Sequence, residues 1–203
     1  MVQADEKFEV ILEAARELFF SRGYDTTSMD LVAREAAVSK ATVYSHFKSK
    51  EQLLLTLVET EVNELPLARH PRPPTTASEL RDVLTGMAEE FVLIFQQDRT
   101  RSLCRLVMAQ AHIYPQIARA FYEAAPLRTR REVVEVLDGA VAAGLLRISD
   151  TSIAALQFLN LAGGELPMLS LLSLPLTTPD ALRPHIESAI NVFLAAYGTD
   201  ATD

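Results

Sequence analysis

The chain has a single cysteine, Cys104, so it closes no internal disulfide and offers no cysteine-based zinc cluster. That thiol usage fits a reducing cytosol. Only 7 residues are glycine while 49% are hydrophobic, which excludes a disordered or collagen-like chain. The histidines, His46, His70, His112 and His185, are scattered singly, without metal-ligand spacing. A Gly-rich phosphate loop is missing. So is any sustained apolar–polar alternation, so strands are not expected. Residues Met1 to Lys7 carry neither a basic stretch nor an apolar one, and a signal peptide is not expected. The most membrane-like run, Ile153 to Leu176, is interrupted by Gln157, Asn160, Glu165, Pro167 and Pro175. It reads as a buried or interface helix rather than a membrane span.

What is present is helical periodicity from end to end. A chain of 203 residues can bury roughly 70% of its unfolded surface without staples. The formal charge of -8 conceals a gradient, because Val38 to Lys50 holds Lys40, Lys48 and Lys50 and no acid. An acidic body with a small basic tip aims one surface at phosphate.

The first helix is expected from about Asp5 to Arg22, with Phe8, Ile11, Leu12, Ala15, Leu18 and Phe19 on one stripe and Gly23 stopping it. Thr27 with Asp30 reads as a capping box that opens a short helix. Ala37-Val38 makes a turn, and Ser39 caps a third helix to about Phe47. Ser49 with Gln52 opens a fourth, which Pro66 ends. Residues 66–77 hold four prolines (Pro66, Pro71, Pro73 and Pro74) and form the linker. The expected organisation is residues 1–50 as a helix-turn-helix domain, 51–65 as a connecting helix, and 78–203 as a regulatory domain. Ser78 is expected to cap the first regulatory helix, and a long apolar helix after Asp150 or Thr151 to kink near Gly163-Gly164 and Pro167. The fold class is all-α, with about nine helices.

Three short capped helices followed by a long one fit a helix-turn-helix with its support. The third helix spends only Val43 and Phe47 inward. Ser39, Lys40, Ala41, Thr42, Tyr44, Ser45 and His46 are left free to enter a major groove. Lys48 and Lys50 follow where a phosphate strand would pass, and Thr27 and Ser28 stand at a helix N-terminus.

The run Ser39-Lys40-Ala41-Thr42-Val43-Tyr44-Ser45-His46-Phe47-Lys48-Ser49-Lys50-Glu51-Gln52-Leu53-Leu54 resembles the recognition helix of TetR/AcrR regulators and the helix after it. Ala14 to Phe19, Gly23-Tyr24, Thr27-Ser28-Met29 and Val32-Ala33 are similar to the same family in register. The resemblance implies phosphate contacts from Thr27, Ser39, Thr42, Tyr44, His46 and Lys48, and base contacts from Lys40, Ala41 and Tyr44. Ala37 stands where the family commonly has glycine, and a basic N-terminal arm is lacking. Arg105 to Val107, Tyr114 to Tyr122 and Gly144 to Arg147 resemble the C-terminal domain of the AefR-like branch, in which Gln110 replaces an expected acid.

The resemblance implies double-stranded operator DNA and a small-molecule inducer as partners, and a homodimer. No cofactor or membrane is expected. The expected ligand cavity is apolar, built from Phe91, Phe95, Met108, Phe121 and Phe158 with His112, and Glu165 faces either that cavity or the dimer seam. The expected seam pairs the last two helices through Ile153, Leu156, Leu159, Leu171, Ile186, Ile190, Phe193 and Leu194. A purely structural adaptor and an enzyme are the rival classes. Cys104 and His112 lie more than about 10 Å apart along a helix axis, too far for a nucleophile–base pair. No carboxylates pair for acid–base work. Enzymatic function is therefore not expected.

Overall fold

A computed structural model describes residues 2–64 and 73–199, so most of the Pro-rich linker lies outside the described residues. Among the described residues eleven helices run in order: α1 (Val2–Arg22), α2 (Met29–Glu35), α3 (Lys40–His46), α4 (Lys50–Asn63), α5 (Ala77–Gln96), α6 (Asp98–Gln110), α7 (Pro115–Ala124), α8 (Pro126–Ala142), α9 (Thr151–Gly163), α10 (Leu166–Leu171) and α11 (Pro179–Tyr197). The count exceeds the expected nine partly because the long apolar helix breaks rather than kinks. Gly164 takes φ 51 and ψ −126, outside the helical region, so α9 stops there and α10 starts afresh. Among the described residues the one β element is an isolated bridge between Leu146 and Gly198.

Local chemistry explains most boundaries. Ser28, Ser39 and Ser49 each accept a hydrogen bond from the backbone N–H three residues on, and so cap α2, α3 and α4. The expected box at Thr27 shifts by one residue: Ser28 is the cap, and Asp30 lies inside the first turn. The cap of α5 is Thr76 rather than Ser78, with Glu79 reaching back to the Thr75 N–H at 2.8 Å. Asp150 caps α9 through the N–H groups of Ser152 and Ile153.

By packing, the chain groups into two units. The first comprises Met1–Glu64 with Ser102–Ala124, and the second Leu65–Arg101 with Ala125–Asp203. The division differs from one drawn at the linker because α7 packs on α4, which draws most of α6 and α7 into the unit of the first four helices. In the first unit Ile11, Leu12, Phe19, Val43, Phe47, Leu53 and Leu57 are fully buried. Arg16 of α1 reaches the buried Glu61 of α4 at 2.5 Å, an ion pair that ties the two long helices together. In the second unit Leu80, Leu84, Leu137, Phe158, Ile190 and Phe193 centre one core formed by α5, α8, α9 and α11. Gly139 of α8 admits no larger residue without a shift: a Cβ there would stand 2.3 Å from that of Pro73.

The turn between α2 and α3 is the most demanding backbone in the first unit. Val38 N–H bonds to Ala33 C=O and Ala37 N–H to Arg34 C=O, a Schellman closure that needs a left-handed residue at position 37. Ala37 supplies it at φ 52. Ala37 thus takes the left-handed conformation that favours glycine, at the steric cost of a Cβ. The Ala37→Gly variant is expected to be more stable by about 0.5–1 kcal/mol, since relief of the αL penalty exceeds the entropy glycine adds to the unfolded chain. Thermal denaturation checks this; an unchanged or lower midpoint counts against it.

Candidate DNA interface

The helix-turn-helix is held from beneath by Val43 and Phe47, at 0% and 1% exposure. Phe8 of α1 stacks on Phe47 with ring centroids 5.2 Å apart and meets the edge of His46 at 6.4 Å. With those two anchors inward, α3 presents Lys40, Ala41, Tyr44 and Ser45 to solvent, and Thr42 and His46 at its margins. Tyr44 is the prominent feature, half exposed and aromatic beside the exposed Lys40, Ala41 and Ser45. Ser39 and Thr42 share a hydrogen bond at 2.8 Å that uses one hydroxyl proton, so one of the two hydroxyls at the start of the helix keeps its proton to donate to a phosphate oxygen. Ser28 is exposed at the start of α2.

Charge on this surface is partly held in reserve. Lys40 pairs with Asp30 of α2, but both side chains are more than half exposed, and such a pair is worth little. A phosphate can replace Asp30 as partner at small cost. Lys48 is exposed, and its N–H is taken by the Gln52 side chain at 2.8 Å, which fixes the backbone on which it stands.

Two of the expected contacts are committed inside the fold. Thr27 is buried, and its hydroxyl donates to Gly23 C=O at 2.9 Å, so its side chain shapes the turn after α1 rather than meeting phosphate. Lys50 places its ammonium over the Tyr24 ring, 3.9 Å from the centroid. Partial burial lowers the Lys50 pKa, while the Asp25 and Glu51 carboxylates favour its charged form. A lysine that serves as a strut was not separable from a phosphate-binding one on sequence spacing. The available signal was the aromatic Tyr24 directly after the αL residue Gly23 (φ 88).

Sequence reasoning also missed how the start of α4 is fixed. Tyr114, just before α7, donates to Glu51 at 3.4 Å, and its ring meets Tyr24 edge-on with centroids 5.6 Å apart. Burial pushes the Tyr24 phenol far above its ordinary value, with Tyr114 and Glu51 adding to it, so it stays neutral. The Glu51 carboxyl is held below its usual range, first by the Ser49 hydroxyl and then by backbone hydrogen bonding.

The residues expected to line a ligand cavity do not share one environment. Phe91 and Phe95 of α5 form an edge-to-face pair with centroids 5.2 Å apart, both half-buried in the second unit. Phe158 is 1% exposed and packs on Phe193, so it belongs to the core of that unit. Met108 is 61% exposed, and His112 and Glu165 face solvent. Helical periodicity marks an apolar side chain without saying whether it is needed inside; Met108 is not. Phe121 is half-buried on α7 in the first unit.

The expected dimer residues also divide. Ile186, Ile190, Phe193 and Leu194 are consumed by the chain's own core, because α11 packs against both α5 and α9. Ile153 and Leu156 of α9 are 54% and 42% exposed, and Leu159 and Leu171 are half-buried. Val192, on the outward side of α11, is 52% exposed and was not singled out from the sequence. Burial pushes the Cys104 thiol up to about 11, so it is not an activated nucleophile. Among the described residues no cluster of His, Cys, Asp and Glu is arranged to hold a metal, and no helix is long and apolar enough to cross a membrane.

Two family models match the chain. Residues 11–57 match the tetR family of bacterial regulatory proteins, and residues 82–199 match the C-terminal domain of AefR-like transcriptional repressors. The chain is 35% identical over 94 residues to the HTH-type transcriptional activator FasR of Mycolicibacterium smegmatis, a match covering 46% of this chain and 42% of that protein. It is 30% identical over 122 residues to the HTH-type transcriptional regulator AcrR of Shigella flexneri, covering 57% of this chain and 54% of that one. These alignments span roughly half the length of either relative. Among solved structures, the flavonoid-responsive regulator FrrA matches with a TM-score of 0.80 and 35% identity, over 97% of this chain and 100% of that one. A TetR transcriptional regulator from Agrobacterium tumefaciens matches with a TM-score of 0.83 over 97% of this chain and 96% of its own; at 21% identity the likeness is one of fold.

Proposed function

Because the chain belongs to the TetR family of transcriptional regulators, DNA-binding proteins and not enzymes, we propose that it is a repressor which binds an inverted-repeat operator as a homodimer and is released by a small hydrophobic or amphipathic ligand. The observation that carries the DNA-binding part is the outward face of α3, with Lys40, Ala41, Tyr44 and Ser45 free above the buried Val43 and Phe47. In this reading Lys40, Ala41 and Tyr44 meet base edges, and Ser28, Ser39, Thr42, His46 and Lys48 meet phosphates.

One α3 can read only a few base pairs, so two are required, about 34–36 Å apart or wider for a spaced site. The exposed apolar residues Ile153 and Leu156 of α9 and Val192 of α11 supply the dimer seam in place of the four residues buried in the core. For the ligand, the half-buried Phe91 and Phe95 offer an aromatic wall. A regulator named as flavonoid-responsive is also 35% identical over nearly the whole chain. A ligand that prefers the non-binding spacing of the two recognition helices by a few kcal/mol is enough to shift the equilibrium.

Repression is favoured over activation by the AefR-like repressor match, which covers more than half of the chain. The FasR relative, an activator, supports the second reading. Selection from random double-stranded DNA with the purified protein should return an inverted repeat. A reporter driven from a promoter containing it should fall in output when the protein is present. Recovery of asymmetric single sites alone overturns the dimeric reading, and a rise in reporter output overturns repression.

A further inference from the structure

We propose that the cleft where α6 lies against the end of α1 is a second ligand site, one that takes a small organic carboxylate carrying a hydroxyl or amide N–H donor. The cleft lies wholly within the first unit and has a volume of about 310 Å³, at the lower end of the range for small-molecule sites. It is separate from the aromatic wall of Phe91 and Phe95, which belongs to the second unit.

Three features of its lining define the ligand. First, Gln110 closes α6, is 3% exposed and lines the cleft, and its side-chain oxygen has no hydrogen-bond partner. A buried amide oxygen without a donor is costly, and because Gln110 borders the cleft, a small shift of its side chain would bring that oxygen to a donor held there. Second, Arg22 and Arg105 both border the space. The bordering acid, Asp25, already favours the charged form of Lys50, and the hydrogen bond resolved for Arg105 goes to the Ser102 hydroxyl at 3.2 Å. Two guanidinium groups against one engaged carboxylate make the opening attractive to an anion, and guanidinium geometry suits a carboxylate. Third, Phe19, Phe20 and Leu106 supply an apolar floor, which suits a ring or short aliphatic body between the two polar ends.

The donor, the charge and the body must therefore be carried by one small molecule. 4-Hydroxybenzoate is the probe that combines them. Calorimetric titration of the full-length protein is expected to show saturable binding of this probe. Benzoate, which lacks the donor, and 4-hydroxybenzyl alcohol, which lacks the charge, should each bind at least about fivefold more weakly. The Gln110→Met and Arg105→Gln variants should show the same loss with a melting temperature no lower than the parent's, and Phe95→Ala should bind normally. If Arg105→Gln fails to fold, Arg105→Lys should retain the charge and lose only part of the affinity.

The proposal is overturned if 4-hydroxybenzoate shows no saturable binding, which means the cleft holds water only. It is also overturned if Gln110→Met binds the probe as the parent does, or if Phe95→Ala abolishes binding and so places the probe elsewhere. Binding is read without DNA, so failure here leaves the operator reading untouched.

Discussion

Ile190→Asp is expected to leave no folded protein, whereas Val192→Asp, two residues further along α11, should fold and lose its partner subunit. Ile190 is 1% exposed, among Leu80, Leu84, Phe158, Ile186 and Phe193. The substitution removes a buried branched side chain, at about 2–5 kcal/mol, and leaves a carboxylate with no cation in an apolar core. Together these rival the whole stability of a typical domain, about 5–15 kcal/mol. Val192 is 52% exposed, so a carboxylate there stays hydrated in the single chain and is desolvated only when a second chain covers it. Leu156→Asp on α9 should behave as Val192→Asp does. Circular dichroism should show a native melt for the two outward variants and none for Ile190→Asp. Light scattering should find the outward variants monomeric, and their operator affinity should fall at least about a hundredfold, since each half-site is then bound without the other. A dimeric Val192→Asp protein with full affinity would move the interface off this face.

Removing Lys48 and removing Lys50 should have different consequences, although the two lysines are almost adjacent. Lys48 is exposed, and its ammonium is free to displace counterions from a phosphate. Lys48→Ala is expected to weaken every DNA sequence alike and to reduce the slope of log affinity against log salt by about 1. Lys50 spends its charge on the Tyr24 ring, so Lys50→Ala should leave that slope unchanged and lower the melting temperature instead. Tyr44→Ala, at the half-exposed centre of α3, should change which bases are preferred and cost about 1–3 kcal/mol on the best site, roughly fivefold to 150-fold in affinity. Fluorescence anisotropy over a salt series separates the three. An equal loss of slope in Lys48→Ala and Lys50→Ala would return Lys50 to the phosphate contacts.

The helix order and the family were legible because capping hydroxyls, prolines and apolar stripes act locally. Ser39 capping α3 is a matter of a few consecutive residues, and so are the inward positions of Val43 and Phe47. What the chain does not disclose locally is which of several apolar stripes a given helix needs for its own fold. Ile190 and Val192 are both apolar positions on α11, and only the packing of that helix between α5 and α9 decides that one is core and the other surface. The same limit separates Phe158, buried, from Met108, exposed. At the DNA-binding end, Thr27 and Ser28 are chemically equivalent caps, and a shift of one residue in where α2 begins turned one hydroxyl inward and left the other outward. Glu61, a buried acid on a helix that reads as amphipathic, could be anticipated only by knowing that Arg16 of α1 lies across from it.

The left-handed alanine before the recognition helix also has a dynamic side. Strain stored at Ala37 is released when the α2–α3 turn opens, so it lowers the free energy of that opening by the same amount. About 1 kcal/mol multiplies the open population roughly fivefold. Amide protons of α2 and α3 should then exchange with solvent several times faster than in Ala37→Gly, while those of α4 keep pace in both. Under the proposed function, the recognition helix is thus mounted beside a turn that costs less to open, and DNA that holds α3 in place must supply the energy to keep that turn shut.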